Sequence, residues 1–345
     1  MSPSQSPVPR APTVSRSPFA PVLAHSACAV RGDLDVTLAL RHAGSHRLRI
    51  RWEALGDAAT PVVFVAGGIS ADRHVAASAT FAQPGWWDAQ VGEGKALDPS
   101  RVRVLAIDWL GADGALDVPI DPADQADAIA RVLDALGVAA LDAFVGASYG
   151  AMVGLQFAAR HPRRLQRLCA ISGTHRAHPY ASAWRALQRQ AVALGALQCD
   201  EVDGLSLARQ LALLGYRTPE EFDARFAGAQ VVDGQVRVGA EDYLRHCGAK
   251  YVARTAPTAF LRLFESIDLQ KLDPERVQAP VTVVAIAQDR LVPVADAYAL
   301  VERLPDARLH VLQSLYGHDA FLKEHDVIAR VLADVVSCAC PEIAA

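Results

Sequence analysis

Ser148, Asp289 and His318 are the residues of this chain whose types and order could do covalent chemistry. A serine hydroxyl is a poor nucleophile at neutral pH and needs a neighbouring base. Ser148 lies in Gly146-Ala-Ser-Tyr-Gly150, a G-x-S-x-G pattern with an apolar run before it and helical spacing after it. That context predicts a tight strand-to-helix turn. The turn would hold the hydroxyl above a sheet at a helix N-terminus, where developing negative charge is favoured. Asp289 follows the apolar run ending at Ile286, and His318 follows the run ending at Leu312. Both therefore fall just past strand ends, where parallel sheets place their sites. His318 is expected to take the Ser148 proton, and Asp289 to fix the imidazole tautomer and stabilise the imidazolium. The backbone N–H of Tyr149 is expected to be one oxyanion donor. The loop Gly67-Gly68-Ile69-Ser70 is expected to supply the other, from Gly68 or Ile69.

Such residues need a rigid frame. Apolar runs at 61–66, 102–107, 168–171 and 281–286 read as buried strands, as do the shorter segments 141–145 and 309–312. Leu48 to Trp52 reads as a half-exposed strand. Helices are expected over 122–136, with Asp121 as N-cap and Gly137 as stop, and over 151–160 and 321–336. Strands alternating with helices predict a mostly parallel sheet covered on both faces. The alternation stops near Gly173 and resumes near residue 271. Between them, helical spacing appears at 181–194, 205–214 and 257–264. The expected fold is an α/β-hydrolase core of residues 23–173 and 271–345, a helical cap inserted at 174–270, and a disordered Ser- and Pro-rich tail over 1–22.

Composition narrows the partners. Half of the chain is hydrophobic (51%), enough for a large core, and the net charge of −4 without a long basic run gives no footprint for nucleic acid. No apolar run reaches the roughly 18 residues of a membrane span. Arg10 and Arg16 precede a short apolar stretch, but Pro21 and His25 interrupt it, which argues against a secretion signal. Cys28, Cys169, Cys199, Cys247, Cys338 and Cys340 contain no CxxC pair. They are read as free thiols of a cytoplasmic protein, with no metal site and no resident cofactor.

Several further segments resemble the homoserine O-acyltransferases of α/β-hydrolase type. They are Gly317-His-Asp-Ala-Phe-Leu322, Ser182-Ala-Trp-Arg-Ala-Leu-Gln-Arg-Gln190, and Tyr216-Arg-Thr218 with Phe222 and Arg225-Phe226. Tyr243-Leu244, Gly248-Ala-Lys250 and Arg254 add to the likeness. The resemblance implies acyl-CoA as co-substrate, a covalent acyl-Ser148, homoserine as acceptor, and a homodimer formed through cap helices. It also implies that Arg217 and Asp319 bind the acceptor. A zwitterionic amino acid suits such a pair, since a guanidinium can fork onto its carboxylate and an aspartate can meet its ammonium. Two departures bear on the donor. The loop after the early strand is Ala66-Gly67-Gly68-Ile69-Ser70, where acetyl-transferring members show a His-Ala-Leu-Thr-Gly type of sequence. Arg185 follows Trp184 where those members carry asparagine. An added cation suits an acyl group with its own carboxylate. The expectation is succinyl transfer from succinyl-CoA to homoserine, a step of methionine biosynthesis, with Arg185 facing the distal carboxylate and otherwise left unpaired. Acetyl transfer, succinyl transfer to serine, and ester hydrolysis by the same triad stand as alternatives.

Overall fold

Runs such as Val62–Ala66 have no polar side to give to water, so they become strands covered on both faces. The computed structural model describes residues 28–198 and 200–337. The expected tail at 1–22 lies outside them, as do Cys199, Cys338 and Cys340. The chain opens with β1 (Ala29–Leu40) and β2 (Gly44–Leu55), followed by β3 (Val62–Ala66), β4 (Arg103–Ile107) and α1 (Pro122–Ala135). Then come β5 (Ala143–Ala147), α2 (Tyr149–Arg160) and β6 (Leu168–Ile171). The next stretch is α3 (Pro179–Gln198), α4 (Glu201–Tyr216), α5 (Pro219–Arg225), the hairpin β7 (Gln230–Val232) and β8 (Gln235–Arg237), α6 (Glu241–Val252) and α7 (Pro257–Asp268). The chain returns to the sheet with β9 (Val281–Ile286), α8 (Val294–Arg303) and β10 (Ala307–Leu312), and ends in α9 (Ala320–Lys323) and α10 (His325–Ser337).

Eight strands form one sheet in the order β1-β2-β4-β3-β5-β6-β9-β10. β1 and β2 pair antiparallel, β2 meets β4 antiparallel, and the remaining pairs are parallel. One face packs against α1 and α2 through Phe64, Ile129, Phe144 and Phe157; the other packs against α10 through Val65, Val145, Ile328 and Leu332. The helices between β6 and β9 have their own small core of Leu205, Tyr251, Phe260 and Phe264.

Several elements differ from the sequence expectation. The strand expected at 48–52 forms part of the longer β2, and β1, which was not expected, pairs with it although its segment Asp33 to Leu38 alternates exposed polar with more buried apolar residues. The single C-terminal helix expected at 321–336 is divided at Glu324, whose backbone leaves the helical region and whose carboxylate accepts from Ser314 Oγ at 2.7 Å. The 174–270 interval, read as helices and loops, also holds the β7–β8 hairpin, and its α5 and α6 carried no clear periodicity. Asp121 caps α1 as expected: it accepts from Ala123 N–H, while Asp124 reaches back to the Asp121 N–H in a capping box.

The sharpest local demand is the turn from β5 into α2. Ser148 has φ 55° and ψ −116°, a conformation that an L-residue avoids. A Cβ on Gly146 would strike Gly150 O, and a Cβ on Gly150 would strike Ala66 O. Strand, turn and helix fit only with glycine at both positions. The Gly150 N–H then donates to Gly67 O at 3.0 Å, locking the turn to the loop after β3. Gly150→Ala is expected to lower the unfolding free energy by about 1–3 kcal/mol, because the added methyl must displace backbone. Urea denaturation of the two proteins measures it; an unchanged midpoint and slope would contradict the packing argument.

Candidate active site

Asp289, His318 and Ser148 arrive from three separate strand ends and meet in a line. His318 Nδ1 is 2.6 Å from Asp289 Oδ2, and His318 Nε2 is 2.7 Å from Ser148 Oγ. Asp289 is held from its other side, where Oδ1 accepts the N–H groups of Leu291 at 2.8 Å and Val292 at 3.0 Å. A carboxylate fixed by three bonds has no freedom to swing from the imidazole. Burial alone would lower the His318 pKa, but the charge and hydrogen bond of Asp289, with Asp319 nearby, outweigh it and hold the imidazolium above the ordinary histidine range. The Tyr216 ring stacks on the imidazole, with centroids 6.0 Å apart and planes at 25°, and Phe321 stands edge-on to it.

The oxyanion candidates are close to the nucleophile. A Cβ placed on Gly68 would sit 3.8 Å from Ser148 Cβ. Gly68 O accepts from Ala71 N–H at 3.0 Å and from Trp109 Nε1 at 3.1 Å, which orients the loop. Among the described residues, the N–H groups of Tyr149, Gly68 and Ile69 have no acceptor and are available to a ligand oxygen. Gly67 is buried at the loop base and Ser70 is exposed at its tip.

Above the triad lies a cavity of about 360 Å3. Its wall carries Arg176, Arg185, Arg209, Arg217 and Arg254 against a single carboxylate, Asp319. Such a concave, cation-rich wall concentrates field and favours anionic ligands. Arg217 and Asp319 both line it and are already paired with each other, Nε to Oδ2, at 3.0 Å. That contact is not aligned as a hydrogen bond, so the buried Arg217 Nε remains without one. Arg217 Nη1 donates to Glu221 at 2.8 Å, and Glu221 also accepts from Arg225. Thr218 caps α5 through Glu221 N–H and donates to Leu315 O, tying the end of α4 to the turn that carries His318. Burial raises the Asp319 pKa, opposed by Arg217, His318 and Arg209.

Arg185 reaches the cavity but is not left unpaired, which corrects the expectation for it. Its Nε donates to Asp268 Oδ1 at 2.7 Å and its Nη2 to Ser182 Oγ at 3.1 Å. It is also no surface residue, being 7% exposed. A buried guanidinium is costly without a counter-charge, and α7 supplies one at its C-terminal end. Arg189 Nη1 takes the other Asp268 oxygen at 2.7 Å, so two arginines share one carboxylate and a unit of positive charge remains. Sequence reasoning assigned no role to Asp268, Glu221, Arg209 or Gln188. The i, i+3 spacing of Arg185 and Gln188 on α3, and the i, i+7 spacing of Arg209 and Tyr216 on α4, were the available signals.

The mostly parallel sheet, the strained turn and the hydrogen-bonded Asp289, His318 and Ser148 together define the α/β-hydrolase fold. The profile of the α/β hydrolase fold family matches residues 61–325. A homoserine O-succinyltransferase of Xanthomonas campestris pv. campestris is 63% identical over 306 residues, covering 88% of this chain and 83% of that protein. A homoserine O-acetyltransferase of Clavibacter michiganensis is 30% identical, covering 83% of this chain and 86% of that protein. The crystal structure of a homoserine O-acetyltransferase from Bacillus anthracis superposes with a TM-score of 0.81 at 17% identity, covering 90% of this chain and 97% of that one, and so shares the fold. The chain belongs to the homoserine O-acyltransferase family of α/β-hydrolases.

Proton transfer to His318 requires the neutral imidazole, so activity should fall as pH drops through its raised pKa. Asp289→Asn removes the group that raises it. The acid limb of kcat/KM against pH should therefore move to lower pH, with a rate loss on the order of 10⁴-fold. A limb that stays in place would deny Asp289 its electrostatic role.

Proposed function

We propose that this chain transfers a succinyl group from succinyl-CoA to the hydroxyl of L-homoserine, forming O-succinylhomoserine for methionine biosynthesis. The observation that carries this reading is the 63% identity to a homoserine O-succinyltransferase across most of both chains. The unit of positive charge left by Arg185 and Arg189 on Asp268 supports it, because a donor with a distal carboxylate would neutralise that charge.

In the first half-reaction, Ser148 Oγ attacks the thioester carbonyl as His318 Nε2 takes its proton. The oxyanion of the tetrahedral intermediate is held by the N–H of Tyr149 and one from Gly68 or Ile69; such donors contribute on the order of 3–4 kcal/mol each. The C–S bond breaks, CoA leaves as the thiol with the proton from His318, and Ser148 carries a succinyl ester. In the second half-reaction, His318 takes the proton of the homoserine hydroxyl, whose oxygen attacks the ester. Collapse expels Ser148 Oγ, which regains its proton from His318. Arg217 and Asp319 receive the acceptor: the carboxylate docks on the guanidinium and the ammonium on Asp319, with the amino acid inserted into their present ion pair. Every group needed is supplied by the chain, and acyl-CoA is a co-substrate.

The protein is proposed to work in the cytoplasm, where Cys28, Cys169 and Cys247 would stay as the free thiols observed. No described helix is long and apolar enough to cross a membrane. A homodimer through α3 and α4 is proposed as well. Tyr180, Leu187 and Leu194 recur every seven residues on α3 and are exposed, and Leu207 and Leu214 repeat that spacing on α4. A stripe of this kind is the seam of helix-to-helix association.

Two experiments test these readings. The first is kcat/KM for succinyl-CoA and acetyl-CoA against homoserine and serine, with intact mass of the enzyme after donor alone. Succinyl-CoA with homoserine should be fastest, and Ser148→Ala should show no acyl adduct. Arg185→Asn should cut the succinyl rate by about 30-fold or more while sparing acetyl. A wild-type preference for acetyl-CoA, or thiol release that homoserine does not accelerate, would overturn the reading. The second is sedimentation of the wild type and of Leu194→Arg/Leu207→Arg. The wild type should be a dimer and the variant a monomer; a monomeric wild type refutes the interface.

A further inference from the structure

Tyr149 follows the nucleophile and is 1% exposed, yet its side chain ends in a hydroxyl. A buried hydroxyl needs a partner. Its partner is Ser266 on α7: the two hydroxyl oxygens lie 2.6 Å apart, and Ser266 is fully buried. The Gln125 amide is also close, but both of its ends are committed to the backbone of Leu110. Burial pushes the Tyr149 pKa well above the ordinary tyrosine range. The phenol therefore stays neutral, and the contact is a hydrogen bond between two uncharged groups.

The ring is held as firmly as the hydroxyl. It stands edge-on to Trp109, with centroids 4.9 Å apart and planes at 77°. Trp109 in turn donates from Nε1 to Gly68 O at 3.1 Å. One aromatic pair therefore touches both segments that carry free N–H groups beside Ser148. This matters because the Ser148 backbone is strained. A strained residue relaxes unless its surroundings over-determine it. Gly150 ties the first turn of α2 to the loop after β3, and Tyr149 ties it to α7. α7 is itself anchored nearby. Just past its end, Gln270 Nε2 donates to Met152 O at 3.4 Å and Gln270 Oε1 accepts from Gln156 at 3.0 Å.

We propose that Ser266 is a positioning residue for acyl transfer: through the Tyr149 hydroxyl it fixes the direction of the Tyr149 N–H that receives the oxyanion. The inference rests on the acyl-transfer reading above. The hydroxyl and the N–H belong to one residue, whose ring cannot turn without breaking its contact with Trp109 or Ser266. Donors aimed before the charge develops stabilise it most, since no reorganisation is then needed. Loss of the bond frees the ring, lets the strained turn relax and swings the N–H away from the developing charge. The same turn of α7 carries Asp268, so the helix that orients Arg185 also orients Tyr149.

The test compares the full wild-type chain with Ser266→Ala and with Tyr149→Phe/Ser266→Ala. Ser266→Ala leaves a buried phenol without its partner and should lower Tm. The double variant removes both hydroxyls and should recover most of that loss. Positioning is read separately: by the burst of thiol from succinyl-CoA, by decay of the acyl-enzyme in homoserine, and by inhibition with butylboronic acid. The boronic acid takes Ser148 Oγ onto boron while the serine proton passes to His318, so it presents a tetrahedral oxygen to the same N–H. In both variants the two rates at saturating substrate should fall about 10-fold, with the half-saturating concentrations unchanged, and affinity for the boronic acid should fall by a similar factor. Unchanged rates, or a loss confined to half-saturation, overturn the assignment. So do rates that recover together with Tm in the double variant, which mark a structural role alone. A wild type that does not pass succinyl to homoserine overturns the proposed function instead, and the boronic-acid affinities then decide for or against Ser266.

Discussion

The backbone of Ser148 is held at a positive φ that its side chain disfavours, and the rest of the site is built around that constraint. The strain is tolerable because β5 and α2 are fixed from both sides by a packed core, and because Gly146 and Gly150 remove every Cβ that would collide. Its effect is to aim the hydroxyl out of the sheet and to leave the Tyr149 N–H without a helical partner. The bond from Gly150 to Gly67 carries the same constraint to the second oxyanion loop. The Ser148 hydroxyl and the free N–H groups of Tyr149, Gly68 and Ile69 are thus set by one piece of rigid backbone, an arrangement suited to electrostatic catalysis.

Around this centre, the problem is one of charge in a confined space. The cavity wall gathers several cations, yet buried arginines without counter-charges destabilise the fold. The structure meets the conflict by sharing. Asp268 serves Arg185 and Arg189, and Glu221 serves Arg217 and Arg225. Arg209 is stabilised by aromatic faces rather than by a carboxylate. Each device keeps a net positive field while Arg185, Arg209 and Arg217 each rest on a carboxylate or an aromatic face.

The cap and the core are coupled through the His318 turn. Thr218, at the start of α5, donates to Leu315 O, and Tyr216 lies on the imidazole. The end of α4 and the turn that carries His318 are therefore held together by direct contacts. Arg217 sits at the end of α4 and Asp319 beside His318, so their ion pair bridges cap and core above the nucleophile.

Much of this was legible in the chain by itself. The elbow motif flanked by apolar strand and helix determined where the strained turn at Ser148 falls, because glycine and strand signals are local. The order Ser, Asp, His at strand ends determined the relay, and the long apolar runs determined a parallel sheet covered on both faces. The first hairpin was not read, although Asp33, Asp35 and Thr37 alternate with Leu34, Val36 and Leu38, because Gly32 and the two aspartates are poor strand formers on their own and pairing with β2 overrides that. Pairing between distant charges was equally hidden. Arg185 read as an unpaired cation, since its partner Asp268 lies 83 positions away on another helix. Sequence specifies which groups are present and the local turns that aim them. Which charges neutralise one another, and which remain free for a ligand, is decided only when distant segments are brought within a few ångströms, where electrostatic and hydrogen-bond energies take their values.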